Sequence, residues 1–328
     1  MPLDAATGQF IELLESTGAS PVQDGSPEAA RAAGASLVEL IGPGPEVASS
    51  ENVHLAGFDG GGFTVRILRP GPAPAGIIVY LHGGGWVTGD LAGHDTLART
   101  LAVRAHATVV LVDYRLAPEH PFPIPVEDCW TALTWVNAHR GELAISDAPL
   151  VVAGDSAGGN LAAVLTHRAR DRGGLVIAHQ VLAYPVTDCD FDRPSYRDPE
   201  NQSLLTREAM AWFFDHYTGP GDRRFDPEVS PLRADDFRGL PPATILLAEH
   251  DPLKDEGRAY AQALAVAGVP VHVETAAGQA HGFLPMLNVL PGAEVGVDLI
   301  VEQLAQVSGR SDTSGPNSAS SAWPYANC

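Results

Sequence analysis

The sequence predicts an α/β fold in which a mostly parallel central sheet is flanked by helices and carries a helical cap. Three observations predict it. Several strand-like runs are apolar throughout, such as "GIIVYLHGGGW" (76–86), "ATVVLVDYRL" (107–116) and "PLVVAGDS" (149–156). Helix-spaced segments at 91–105, 125–140 and 157–171 alternate with them. A long segment, 186–236, then breaks the alternation. Strands buried on both faces read as continuous apolar runs, and alternation with helices implies parallel pairing.

Two short strand-like runs come first, at 53–55 and 63–68. After 157–171 follow "IAHQVLAYP" (177–185), "PATILLAEHD" (242–251) and "VPVHVETA" (269–276), with helical segments at 253–267 and 292–307. Residues 1–50 are helical and polar, broken by "GPGP" (42–45). The 186–236 segment carries "REAMAWFFDHY" (207–217), whose Trp212, Phe213 and Phe214 need an apolar seat. An insertion at the carboxyl edge of a sheet is well placed to be a lid. The expected division is an N-terminal cap segment (1–50), a core in two parts (51–185 and 237–308), a cap insertion (186–236) and a tail (309–328). The tail is rich in Ser, Gly and Asn and is expected to be mobile.

Composition narrows the function. The chain has 328 residues, 45% of them hydrophobic, enough for a large core. Acidic residues outnumber basic ones 40 to 20, giving a formal charge of −20. Such a surface repels nucleic acid and anionic membranes, so neither is expected as a partner. Lys254 is the only lysine. Cys129, Cys189 and Cys328 match no metal motif or disulfide framework and are expected to stay reduced. The N-terminus lacks a signal peptide's basic start and apolar core, and no apolar run spans a bilayer. A cytoplasmic location is expected.

The chemistry is concentrated in three places. Gly154-Asp155-Ser156-Ala157-Gly158 fits G-x-S-x-G between a predicted strand and a predicted helix, the context in which a tight, strained turn exposes a nucleophilic serine. A serine hydroxyl is a weak nucleophile and needs a base, itself held by a third group. Asp251 stands at the end of one downstream strand, and His281 follows the next in "GQAHGF" (278–283). Asp255 and Glu256 fall inside the following helix and read as surface acids. His250 is expected to point away. "LHGGGW" (81–86) follows an early strand, where an oxyanion loop belongs. Gly83 and Gly84, with Ala157 after the serine, are the expected donors to the oxyanion. His82 is expected to brace this loop. No metal or cofactor site is apparent.

Together, "HGGGW" (82–86), "YRLAPEHPFP" (114–123), "GDSAGGNLA" (154–162), "DPLKDEG" (251–257) and "HGF" (281–283) resemble the bacterial hormone-sensitive lipase family (family IV) of esterases. The resemblance covers roughly 50–308 and extends to the N-terminal segment as part of the cap, but not to the tail. It implies an α/β-hydrolase core, a two-part cap, no cofactor, and hydrolysis of short-to-medium acyl esters. It also implies a homodimer through the last strand, about 269–276. By position, Ser156 is the nucleophile, His281 the base and Asp251 its orienting acid. Gly83, Gly84 and Ala157 form the oxyanion hole. His250 stands where relatives more often carry an aromatic or apolar residue.

The resulting expectation is a carboxylic ester hydrolase acting on a small-molecule ester through an acyl-enzyme. Trp86, Trp212, Phe213 and Phe214 are candidates for the substrate pocket, and core packing accounts for any one of them equally well. Amide hydrolysis or acyl transfer by the same triad is the alternative. A non-catalytic small-molecule receptor is a further alternative, and His281 argues against it, because receptors of this fold lack that histidine.

Overall fold

The computed structural model describes residues 1–18, 20–219 and 221–309. The tail expectation for 309–328 falls, apart from Gly309, outside the described residues, as do Trp323, Tyr325 and Cys328.

One eight-stranded sheet organises the molecule, in the order β1-β2-β4-β3-β5-β6-β7-β8. The strands are β1 (Ser49–Ala56), β2 (Gly62–Arg69), β3 (Ile77–Leu81), β4 (Thr108–Asp113), β5 (Leu150–Asp155), β6 (His179–Ala183), β7 (Ala243–His250) and β8 (Val271–Ala280). From β4 to β8 every pairing is parallel; β1 and β2 pair antiparallel at one edge.

The apolar runs are explained by burial on both faces. In β3, Ile77, Val79 and Leu81 join one core cluster, whereas Ile78 and Tyr80 join the other. The first cluster includes Leu133 of α4 (Ile124–Ala138), Leu161 of α6 (Ala157–Arg172) and Tyr260 of α9 (Lys254–Val266). The second includes Leu97 and Leu101 of α3 (Leu91–Ala105) and Val297 and Ile300 of α10 (Pro291–Val307). Helices therefore cover both faces, as parallel sheets require. A short helix, α5 (Arg140–Leu143), follows α4.

The N-terminal segment folds as α1 (Ala5–Ser16) and α2 (Pro27–Ile41). Asp4 and Ser26 cap these helices by accepting from Thr7 N–H and Ala29 N–H. Arg31 of α2 reaches into the body, donating to the carbonyls of Val87 and Ala117 and pairing with Glu119. The insertion between β6 and β7 contains α7 (Pro194–Arg197) and α8 (Arg207–Thr218). The turn at Val22–Asp24 lies against α8, so the two segments outside the α/β alternation meet.

Buried polar groups hold the insertion down. Asn160 donates to the carbonyls of Val186 and Val229, at 2.9 and 2.7 Å. Arg168, on α6, pairs with Glu228 of the insertion and with Glu127. Lys254 donates to Asn201 Oδ1 and to the Glu249 carbonyl. Glu256 corrects the expectation of a surface acid. It is fully buried, and its Oε1 accepts from the N–H groups of Thr187 (2.7 Å) and Asp188 (3.2 Å). Burial pushes its carboxyl up to about 8, against the lowering effect of those two N–H groups. Asp255 likewise accepts from Ser195 N–H, at 2.9 Å. Both acids face the insertion because the first turn of α9 runs beneath it.

Candidate active site

Strand register brings the reactive residues together. Leu81 pairs with Gly154, and Asp155 with Ala183. His250 pairs with Ala280 after an irregularity in the β7–β8 ladder. The next residue on each strand therefore leaves the sheet at the same edge: His82, Ser156, Tyr184, Asp251 and His281. Ligands in such sheets bind beyond the carboxyl ends of the strands.

Ser156 occupies the turn from β5 into α6 with φ 54° and ψ −118°. A non-glycine residue at such angles is strained by about 1–3 kcal/mol and persists only where its surroundings impose it. Here they do. Ser156 N–H donates to the Ala183 carbonyl at 2.9 Å, and the Ser156 carbonyl accepts from Asn160 N–H at 3.0 Å. A Cβ at Gly158 would collide with the backbone carbonyls of Leu81 and His82, and one at Gly154 with that of Gly158. Two glycines are thus required by backbone that has no room to give.

The Ser156 hydroxyl donates to His281 Nε2 at 2.9 Å, and His281 Nδ1–H donates to Asp251 Oδ2 at 2.8 Å. A carboxylate only accepts, so the proton of the neutral ring lies on Nδ1 and leaves Nε2 free to act as a base. Asp251 is 0% exposed, and its other oxygen accepts from Leu253 N–H at 2.8 Å. Ser156 is 7% exposed and the His281 side chain 11%. Gly282, at φ 79°, turns the chain so that Phe283 is buried while His281 stays at the edge. Tyr184 packs edge-on against the His281 ring, 4.9 Å between centroids. Sequence reasoning missed this support; its one signal was a tyrosine at the end of an apolar strand.

The glycine loop departs from expectation at one position. Gly83 N–H donates to Asp155 Oδ1 at 3.1 Å, so it is already engaged. The N–H groups of Gly84 and Gly85 have no hydrogen-bond acceptor among the described residues, and Gly84 (φ 109°) and Gly85 (φ 60°) adopt angles that favour glycine. Ala157 N–H lies in the first turn of α6, where helix donors are unpaired. His82 braces the loop through Nδ1–H to the Gly83 carbonyl, 2.8 Å, and lies stacked on Tyr114. Burial pulls its pKa down to about 4, so the ring is neutral.

The four aromatic candidates separate. Trp86 and Phe214 are completely buried, Trp86 stacked on Tyr217 at 4.2 Å with Phe214 at its edge. They fasten α8 to the core and line no open space. Phe213 lies directly over Gly85, where a Cβ would strike its ring. Trp212 is partly exposed beside Phe213 and His216. His250 is buried and takes no part in the triad contacts. Cys129 and Cys189 are free and buried. No group of three or more His, Cys, Asp or Glu side chains among the described residues is placed to hold a metal ion. No described helix is long and apolar enough to cross a membrane.

Comparison with known proteins agrees with this architecture. The family model described as alpha/beta hydrolase fold matches residues 78–285. Esterase LipI of Mycobacterium tuberculosis is 45% identical over 225 residues, 68% of this chain and 70% of that one. Ethyl acetate hydrolase of Pseudomonas putida is 39% identical over 273 residues, 81% and 86% of the two chains. Among solved structures, the Pyrobaculum calidifontis esterase superposes with a TM-score of 0.86 at 34% identity, covering 94% of this chain and 99% of that one. The chain belongs to the α/β-hydrolase fold family, in its hormone-sensitive lipase-like branch of esterases.

Proposed function

We infer that the protein is a carboxylic ester hydrolase that works through an acyl-enzyme on Ser156. The observation that carries this reading is the continuous relay Ser156–His281–Asp251, with hydrogen bonds of 2.9 and 2.8 Å. His281 Nε2 takes the hydroxyl proton as Ser156 Oγ attacks the ester carbonyl. Asp251 stabilises the imidazolium that forms. The N–H groups of Gly84, Gly85 and Ala157 hold the developing oxyanion. His281 then gives its proton to the leaving alcohol, and water attacks the acyl-enzyme with His281 again as base. The names of the similar proteins, an ethyl acetate hydrolase among them, support a small ester as substrate.

The N-terminal segment and residues 186–236 form a cap over the site, with Phe213 and Trp212 limiting the length of acyl chain admitted. Short-to-medium esters follow. Among the described residues β8 is the sheet's outer strand and no further strand pairs with it beyond β7, which supports a homodimer along it; size-exclusion chromatography with light scattering tests this. The two free thiols fit a reducing compartment, and we propose a cytoplasmic location, tested by cell fractionation.

Purified protein is expected to hydrolyse p-nitrophenyl acetate, butyrate or hexanoate. Ser156→Ala is expected to lower kcat by about 10⁴-fold or more. Unchanged turnover in that variant would remove Ser156 from the mechanism, and a wild-type protein inert on every ester would overturn the activity itself.

A further inference from the structure

Asp155 has no step in the mechanism above, yet it is one of the most heavily engaged side chains at the site. It is 3% exposed and ends β5, one residue before the nucleophile. Its Oδ1 accepts from Tyr80 OH at 2.9 Å and from Gly83 N–H at 3.1 Å, and lies 3.3 Å from His94 Nε2. The three partners come from β3, the glycine loop and α3. Because Leu81 pairs with Gly154, the chain leaving β3 starts beside Asp155, and Gly83 N–H falls within reach. A Cβ at Gly83 would meet the carboxylate, so the loop approaches this closely only with glycine there. Burial raises the carboxyl's pKa, but His94 and the hydrogen bond from Tyr80 outweigh it and the net shift is downward, so the acceptor is an anion. Bonds to an ionised acceptor are roughly twice as strong as neutral ones.

We propose that Asp155 is a positioning residue that fixes the glycine loop to the nucleophile's own backbone, so that the N–H groups of Gly84 and Gly85 keep a constant distance from Ser156 Oγ. The nucleophile and the anchor of its oxyanion donors are consecutive residues. A displacement of one carries the other with it, and the donors need no rearrangement when charge develops on the substrate oxygen. This rests on the acyl-enzyme reading.

The test compares Asp155→Ala, Asp155→Asn and Tyr80→Phe in the full chain. The readouts are kcat and KM on p-nitrophenyl butyrate, inhibition by a trifluoromethyl ketone that forms a tetrahedral adduct, and thermal stability. Asp155→Ala is expected to lower kcat by about 100-fold, the scale of losing one oxyanion donor. KM should stay within about threefold, and the ketone's inhibition constant should rise in step with the fall in kcat. Asp155→Asn keeps an acceptor for Gly83 N–H and should recover most of that loss. Tyr80→Phe removes one donor to the same oxygen and should lower kcat by less. A merely structural role would lower thermal stability without moving the ketone's affinity relative to KM, and that result overturns the proposal, as does Asp155→Ala with wild-type kcat. If Asp155→Ala does not fold, Tyr80→Phe decides: wild-type kcat and ketone affinity in that variant overturn it. A wild-type enzyme without esterase activity would instead refute the acyl-enzyme reading, which the Ser156→Ala control separates from this one.

Discussion

The nucleophile turn and the two segments outside the α/β alternation are held by different kinds of force. Around Ser156 the constraint is backbone against backbone: Gly154 and Gly158 lie where any Cβ would overlap main-chain atoms, and Ser156 is pinned in a strained conformation by its own amide and carbonyl. The N-terminal segment and the 186–236 insertion are held by side chains: Arg31 on two carbonyls and Glu119, Arg168 on Glu228, Lys254 on Asn201, and Glu256 on two amides. Main-chain collisions tolerate no substitution, whereas side-chain clamps lose only their own contribution when removed. The triad therefore sits on backbone with no room to give, and the segments outside the α/β alternation sit where side chains alone hold them.

The contrast is broken most directly at Gly158. Gly158→Ala puts a methyl group into the Leu81 and His82 carbonyls, so it is expected to destabilise the fold by about 3 kcal/mol and lower activity at least about 100-fold. Thermal unfolding with ester kinetics checks both; a fully active, stable variant would show that the turn has slack. Next in size is Arg168→Ala, which leaves Glu127 and Glu228 without their cation. Since both glutamates are partly exposed, a loss of about 2 kcal/mol is expected, with kcat changed less than about 10-fold. Denaturant titration measures the first figure, and a much larger fall in kcat would mean that the cap governs chemistry as well as access.

Phe213→Ala tests the cap's part in selection. Removing the ring over Gly85 is expected to shift preference toward longer acyl chains, with kcat/KM ratios changing by about 10-fold. A chain-length series reads this directly, and an unchanged profile would assign Phe213 to packing alone. A separate test is a pH slope from Glu256. Its folded pKa of about 8 lies above the ordinary 4.5. The folded chain therefore holds this proton more tightly than the unfolded one. The stabilisation is fully present below about 4.5 and is lost as pH rises through 8. Relative to Glu256→Gln, the wild type should lose unfolding temperature between pH 5 and pH 8; parallel curves would mean that the carboxyl does not titrate in this range.

The strands and their neighbouring helices were legible because doubly buried strands must be apolar throughout, and every such run is a strand of the sheet. The triad was legible because strand order puts Ser156, Asp251 and His281 at one edge, and their hydrogen bonds followed. Less was legible where a residue's role depends on what lies across the sheet. Glu256 reads as a surface acid on a helix, and only the chain entering the insertion above it makes it a buried clamp. Trp86 and Phe214 look like pocket residues until Tyr217 is found against Trp86.

The sequence by itself determined the sheet, the edge at which chemistry gathers and the three residues of the relay, because period, order and spacing are local properties of the chain. Only the tertiary structure decided which loop amides remain free. Gly83, Gly84 and Gly85 are identical as letters, and what separates them is Asp155, brought beside Gly83 by the pairing of Leu81 with Gly154. A hydrogen bond between elements 72 residues apart is set by register across two strands, and no local pattern carries that information.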